Sequence, residues 1–441
     1  MKSKKTKFLI SNILILILIF LTACAKDIPA QIPVYNNTGR IKLKCVMYSE
    51  DSNKFNAFKN FAQDVKTLLP QYDINFKFIK GNSKAYETKI KVLLSTAEIP
   101  DVFLSSDESF SNELFTANSL QPVEKYLNQL KFWDMVLPSA KVQGYNGHIY
   151  AIPIDTVSYQ IIEINTDLFT KNNIDPPQTF DDLVSAVSLF KAKGIVPIAL
   201  AGKDGKAVYN MLEGFAYTID PKITSKVISG NAKFSDTPFK ESAIKVKELL
   251  DMEAFGPNVD TLSSQDAANL FHSGKAAMYC TDSLNFAQAD LKLNGKCGLL
   301  YYPSLNDVPT KLSSSIAIAG GVTKNSGLLV SAASAHPADA TKLAIVMSEY
   351  YNKYLYEQQN NAATIYLPDY LGWKLSKKPP IGLQKLMENE AINLNTSSGF
   401  LQNTIPSAQK KAIIEDSSAF MTDFLSADNY LKEMDNGLTL K

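Results

Sequence analysis

Alternation marks the first readable element of the chain. Ile41, Leu43, Cys45 and Met47 occupy every second position, which predicts a strand with one buried side. Phe55, Phe58, Ala62, Val65 and Leu69 then recur at helical spacing. Ile74, Phe76 and Phe78 alternate again; Tyr86, Ile90, Leu93, Leu94 and Ala97 form a second helical stripe, and residues 102–104 a short strand. Strand, helix, strand, helix, strand predicts an open sheet with parallel neighbours and helices on its faces. Such sheets bind ligands beyond the carboxyl ends of their strands. The loops starting at Tyr48-Ser49-Glu50 and Ser105-Ser106-Asp107 are therefore the first places to look for a site. In the middle of the chain residues 147–154 approach a strand broken by Pro153, and 159–164 form another extended run. Thr179-Phe180-Asp181-Asp182 reads as a capping box that starts a helix with Phe180, Leu183, Val184, Val187 and Phe190 inward, and Gly194 is placed to end it. A strand over 195–200 follows, then helices over 239–253 and 266–272, and a strand over 276–280 after Gly274. Pro337 fits the first turn of a long helix carrying Leu343, Val346, Tyr350 and Tyr354. Ser407 and Ser426 read as caps of two late helices.

Ahead of this body the pattern changes. Lys2, Lys4, Lys5 and Lys7 form a basic head, and residues 8–21 are almost wholly apolar. That run is short for a permanent membrane span, and its flanks are those of an export signal. It ends in Leu21-Thr22-Ala23-Cys24, which resembles the lipobox of bacterial lipoproteins. The resemblance implies a signal peptide over 1–23, cleavage before Cys24, and a lipid on the Cys24 thiol; two or more acyl chains anchor stably. Residues 24–39 are polar and aperiodic, with Pro29 and Pro33, and read as a tether. The expected location is the extracytoplasmic face of a cell membrane, lipid-anchored as in Gram-positive bacteria.

Charge narrows the class. Forty-five basic and 44 acidic residues leave a formal net charge of +1, without the electrostatic footprint of a nucleic-acid binder. Arg40 is the only arginine, which argues against a reader of phosphate groups. Beyond Cys24 there are three cysteines, an odd count that is no disulfide framework. Cys45 lies on the inward phase of its strand and reads as a buried free thiol, while a Cys280–Cys297 bridge stays open. No His-Glu-x-x-His or Gly-x-Ser-x-Gly motif is present, and His148, His272 and His336 are far apart. His272, just before Gly274, reads as a positive imidazole suiting a helix end. No metal or cofactor is expected.

Several ordered segments resemble the extracellular solute-binding proteins of family 1, the group that includes maltose- and oligosaccharide-binding proteins. Ile99-Pro100-Asp101-Val102-Phe103 is similar to the family's strand entry, and Gly147 to Pro153 followed by Asn165-Thr166-Asp167-Leu168-Phe169 to its central stretch. Pro176 to Leu183, Lys193 to Ile198, and above all Phe271-His272-Ser273-Gly274-Lys275-Ala276-Ala277-Met278 resemble further segments, with Gly320-Gly321 and Asp339-Ala340 at the later crossover. The resemblance implies a two-lobed α/β fold of the periplasmic-binding-protein type II, each lobe an open sheet flanked by helices. It places lobe one at 40–156 plus 323–366 and lobe two at 157–322 plus 367–441. It also implies a monomer that closes on a small molecule, a carbohydrate, and delivers it to the permease subunits of an ABC importer. Two departures concern the site. Asp282-Ser283-Leu284-Asn285-Phe286 stands where many relatives carry glycine and tryptophan, and Trp133 and Trp373 are the only indoles beside 20 tyrosines.

A polyol needs carboxylates and amides for its hydroxyls and aromatic faces for its C–H surfaces. Glu50 and Asp107 are the expected acceptors from lobe one, Asp155, Ser158 and Tyr159 the hinge-side groups, and Tyr209 a stacking ring. Asp282 and Asn285 follow the strand over 276–280; Gly320 and Gly321 permit close backbone approach, and Trp373 comes from a later crossover. The other readings are a binder of peptides, polyamines or phosphorylated compounds, a lipoprotein that signals to a membrane sensor, and a secreted glycoside hydrolase with paired carboxylates.

Overall fold

The computed structural model describes residues 39–48, 52–79, 83–96, 98–137, 140–141, 144, 146–155, 158–305, 318–321, 325–383, 400–422 and 424–440. Strands β1 (Ile41–Met47), β2 (Tyr72–Phe78), β3 (Val102–Leu104) and β4 (Ala151–Ile152) come first in the chain. Strands β5 (Ser158–Asn165), β6 (Val196–Ala199), β7 (Ala276–Asp282), β8 (Cys297–Leu300), β9 (Gly320–Gly321) and β10 (Leu328–Val330) follow. They make two sheets, ordered β2-β1-β3-β10-β4 and β6-β7-β5-β8, with β9 beside β5.

The first sheet keeps the expected parallel pair, Cys45 opposite Val102. The returning β10 then inserts antiparallel to both β3 and β4. Cys45 is fully buried beneath helix Pro337–Lys353, its Sγ 3.7 Å from Met347 Sδ, and burial pushes its thiol far up. Helices Ser52–Leu68 and Ser83–Leu94 contribute Phe58, Val65, Tyr86, Ile90 and Leu93 to this core, as their stripes predict, together with Phe61, which the stripe did not include. Pro337 is the first helical residue of its helix.

The second sheet is organised around β5, which runs antiparallel to β7 and β8; only β6 and β7 are parallel. Uniformly parallel pairing therefore does not extend to this lobe. Ile162 and Ile164 face a core shared with helices Phe180–Ala192, Lys206–Ile219, Thr237–Asp251, Ser407–Met421 and Ala427–Gly437. The capping box at Thr179 is complete: its hydroxyl accepts the Asp182 amide, and the Asp182 carboxylate accepts the Thr179 amide. Gly194 takes the left-handed conformation just past that helix. Ser426 caps its helix, whereas Ser407 lies one residue inside a helix whose N-cap is Pro406. Cys280 pairs with Ile162 and Cys297 with Asn165, so the two thiols lie on opposite sheet faces and both are free. His272 is partly buried near Lys292, and both effects pull its pKa below the ordinary value. Both effects oppose the positive imidazole expected at this helix end.

The chain crosses between the sheets twice within the described core. One passage runs from Ile152 to Ser158, and the other returns from Gly321 to Leu328. The two passages are paired, Ser158 opposite Gly321 and Tyr159 opposite Gly320. A buried network roots the first passage: Ser348 Oγ donates to Pro153 O at 2.6 Å, and Asn352 Nδ2 donates to Ile154 O at 2.9 Å. Thr364 and Tyr366 join it through Asn352 and Ser348.

Candidate functional site

The sequence candidates stand at the carboxyl ends of strands, in the paired crossovers and beside the N-termini of helices Glu108–Thr116 and Lys206–Ile219. Asp107 ends the loop after β3 and caps helix Glu108–Thr116, accepting the Phe110 amide at 2.8 Å. Its other oxygen lies 3.6 Å from Lys410 Nζ, on helix Ser407–Met421 of the second lobe. Beside it, Glu108 is buried and accepts a 2.9 Å hydrogen bond from Asn325 Nδ2, on the returning crossover.

On the second lobe Asp282 ends β7 and accepts the Leu284 amide at 2.9 Å, which fixes its side chain at the strand end. Burial pushes the Asp282 carboxyl up, while that amide and the Lys206 charge pull it down; the net direction is upward. Lys206 begins the helix whose next turn carries Tyr209 and Asn210. Asn210 Oδ1 accepts a 2.6 Å hydrogen bond from Gln402 Nε2, and Gln402 Oε1 is buried without a partner. Gln160, opposite Asp282 in the sheet, is also buried with Oε1 unpaired. A lone buried acceptor is costly unless a donor reaches it.

The remaining sequence candidates fall as follows. Asp155 stands at the start of the first crossover in an ion pair with Lys54. Ser158 and Tyr159 lie in the crossover strand; Tyr159 is 3 % exposed, its amide donating to Ser283 Oγ at 3.1 Å. Gly320 and Gly321 pair with those two residues, so the close approach they permit is between crossovers. Two of the expected residues lie deeper than a loop position implies. Tyr209 is fully buried with its ring against Phe234, inside the helical layer rather than on an open face. Trp373 packs on Tyr356 and Tyr366, where three aromatic rings fill a core gap. Glu50 and Cys24 lie outside the described residues, as does the side chain of Asn285, whose backbone sits in the short helix after β7.

Lys206, Asn210, Gln402, Lys410 and Gln160 escaped the sequence reading. Lys206 and Asn210 had a signal in the stretch after the strand over 195–200, beside Tyr209, and Gln160 had one in the extended run beside Tyr159. Gln402 and Lys410 depend on long-range folding of the last helices onto the second sheet. Glu163 was also unforeseen. It sits fully buried at the centre of β5 with neither oxygen hydrogen-bonded, and burial first, then Asp282, holds its pKa well above the usual carboxylate range. A surface hollow of about 600 Å³, lined by Pro176, Gln178 and Leu189 among others, contains none of the candidate residues.

Residues 56–366 match the sequence pattern of a bacterial extracellular solute-binding protein. An uncharacterized ABC transporter extracellular-binding protein of Pyrococcus horikoshii is 24% identical over 230 residues, 50% of this chain and 51% of that protein. The multiple sugar-binding protein of Streptococcus mutans is 24% identical over 238 residues, 51% of this chain and 55% of its own. The chain thus spans about half the length of these relatives. A solved structure from work on xylan utilization by Caldanaerobius polysaccharolyticus superposes with a TM-score of 0.75 at 24% identity, covering 90% of this chain and 99% of that one.

Proposed function

The chain belongs to the bacterial extracellular solute-binding proteins, and on that footing we propose that it captures a neutral, hydroxyl-rich solute, a carbohydrate, between its two lobes for an ABC importer. The observation that carries this reading is internal charge balance. Asp107 faces Lys410, Asp155 pairs with Lys54, and Asp282 lies in the field of Lys206. A polyamine needs an acidic cleft with carboxylates left over; here Asp107, Asp155 and Asp282 each already have a lysine. A phosphorylated compound would have to use point-charge lysines already engaged with acids. Hydroxyl groups suit what remains: carboxylate oxygens and the Gln402 and Gln160 acceptors. The names of relatives point the same way, the Streptococcus mutans protein being called a multiple sugar-binding protein.

In this reading lobe one comprises 40–156 plus 323–366 and lobe two 157–322 plus 367–441, and closure desolvates the bonds to the solute. A ligand shifts the open–closed balance only by its differential affinity for the closed state. The working protein is a monomer held at the extracytoplasmic face through lipid on Cys24, after removal of residues 1–23. Cys24→Ala is expected to stall processing or move the protein from the membrane fraction to the medium. Unchanged membrane retention would count against the anchor.

The solute class is tested by thermal unfolding against mono- and oligosaccharides, peptides and spermidine. A saccharide at 100 times its dissociation constant should stabilise by roughly 2.7 kcal/mol. Stabilisation by spermidine or a peptide, with every saccharide silent, would sink the reading. For whichever saccharide binds, Asp282→Ala is expected to weaken affinity at least about tenfold, the value of a hydrogen bond to a charged group. Asp282→Asn keeps an acceptor for the Leu284 amide, so it separates loss of the charge from loss of the turn. Equal affinity of all three proteins by calorimetry removes Asp282 from the site.

A further inference from the structure

Among the described residues one ion pair joins side chains whose anchors belong to different lobes. Asp107 is held rigidly from below: its Oδ1 caps helix Glu108–Thr116, and Ser105 Oγ donates to its carbonyl at 2.6 Å. Its Oδ2 is 3.6 Å from Lys410 Nζ. Lys410 stands on helix Ser407–Met421, whose Ile413, Phe420 and Met421 are sunk in the second-lobe core. The helix cannot follow Asp107 if the lobes part. The two side chains keep 33% and 25% exposure, so neither is committed to a core, and their contact exists only while the lobes touch.

We propose that Asp107–Lys410 is a latch that holds the lobes together without ligand and is broken or shared when a solute takes Asp107 Oδ2. The latch itself needs no solute; only its displacement rests on the binding reading above. A pair this exposed biases a population by no more than about fivefold, and salt weakens it. That suits a latch, because a stronger pair would compete too well with the solute. Lys410 also neutralises Asp107 from the opposite lobe, so closure costs no uncompensated buried charge.

The test uses the full chain in membranes, spin-labelled at Lys89→Cys on the first lobe and Lys432→Cys on the second, both exposed positions. The cysteines Cys45, Cys280 and Cys297 are buried and take no label. Interlobe distances are measured by pulsed electron resonance without ligand, at about 20 mM and about 500 mM salt, a range over which screening of an exposed pair becomes strong. The ratio of short to long distances should fall by up to about fivefold on adding salt or in Lys410→Met, and Lys410→Met should no longer respond to salt. Asp107→Asn, which retains a capping oxygen, should match Lys410→Met, and the double variant should show no additional loss. Identical distributions for Lys410→Met and its parent at both salt levels would overturn the latch. Since no saccharide enters the measurement, that failure is separate from failure of the ligand screen.

Discussion

Gly320→Ala should lower the unfolding free energy by about 2–4 kcal/mol, at the upper end of single-residue effects. Gly320 has φ +118°, a conformation that side chains rarely adopt, and a Cβ there would lie 2.3 Å from Ser158 O and 2.8 Å from Tyr159 Cα. Both obstacles are backbone of the opposing crossover, so relief requires the two passages to move apart. Their pairing, Ser158 with Gly321 and Tyr159 with Gly320, would be strained first. Gly295→Ala provides the control: its φ is +77° and nothing lies within 4 Å of its Cβ. It should lose only the conformational cost, about 1 kcal/mol. Calorimetric melting of both variants checks the contrast, and equal losses would show that the crossovers tolerate separation. Because these paired crossovers join the two sheets, the same variant should also alter the lobe-closing equilibrium.

The elements that sequence alone revealed are those whose burial is decided locally. Phe180, Leu183, Val187 and Phe190 recur at helical spacing and share one core, and the cap at Thr179 is written in four consecutive residues. Other elements carry no such signature. Helix Lys206–Ile219 is buried nearly all round, from Val208 to Tyr217, so its few polar positions do not mark a solvent face. Strand β8 is four residues, Cys297–Leu300, too short to show alternation. The antiparallel insertion of β10 depends on where a distant segment returns, which no window of sequence contains. For the same reason parallel pairing was a fair expectation for β1 and β3 and failed around β5.

The site divides along the same line. Asp107 and Asp282 were candidates because they stand at strand ends, and their capping bonds to Phe110 and Leu284 are local. Tyr209 shows the opposite case: it lies in the right loop-to-helix transition, but its ring turns into the core against Phe234. Its neighbour Asn210 carries the polar contact, through Gln402, which is 192 residues away. Charge balance in the cleft was equally hidden, since Lys410 and Asp107 are brought together only by the docking of the last helices.

Glu213→Gln should stabilise the protein at pH 8 and leave it nearly unchanged at pH 5. Glu213 is fully buried on helix Lys206–Ile219. Its Oε1 accepts from Thr224 Oγ1 at 2.9 Å and from the Leu401 amide at 3.1 Å, while Oε2 has no partner. Burial, opposed by those two bonds, pushes its pKa from 4.5 up to about 7. The folded protein therefore holds a proton that the unfolded chain has released between those two values. A raised folded pKa contributes its stability in full below pH 4.5, and that contribution is lost as the pH rises through 7. Above that window the loss is constant, on the order of 3 kcal/mol. Glutamine keeps an oxygen for Thr224 and Leu401 but has no proton to lose, so the difference between variant and parent should grow from about pH 5 to pH 7 and then level off. Its amide nitrogen replaces an oxygen that already lacked a partner, which leaves a small cost visible at the acid end. Other titrating groups are common to both proteins and cancel in the difference. Parallel stability curves across this range would mean that Glu213 ionises as freely in the folded chain as in the unfolded one. The bridge it makes from helix Lys206–Ile219 to Leu401, one residue before Gln402, would then owe nothing to its proton.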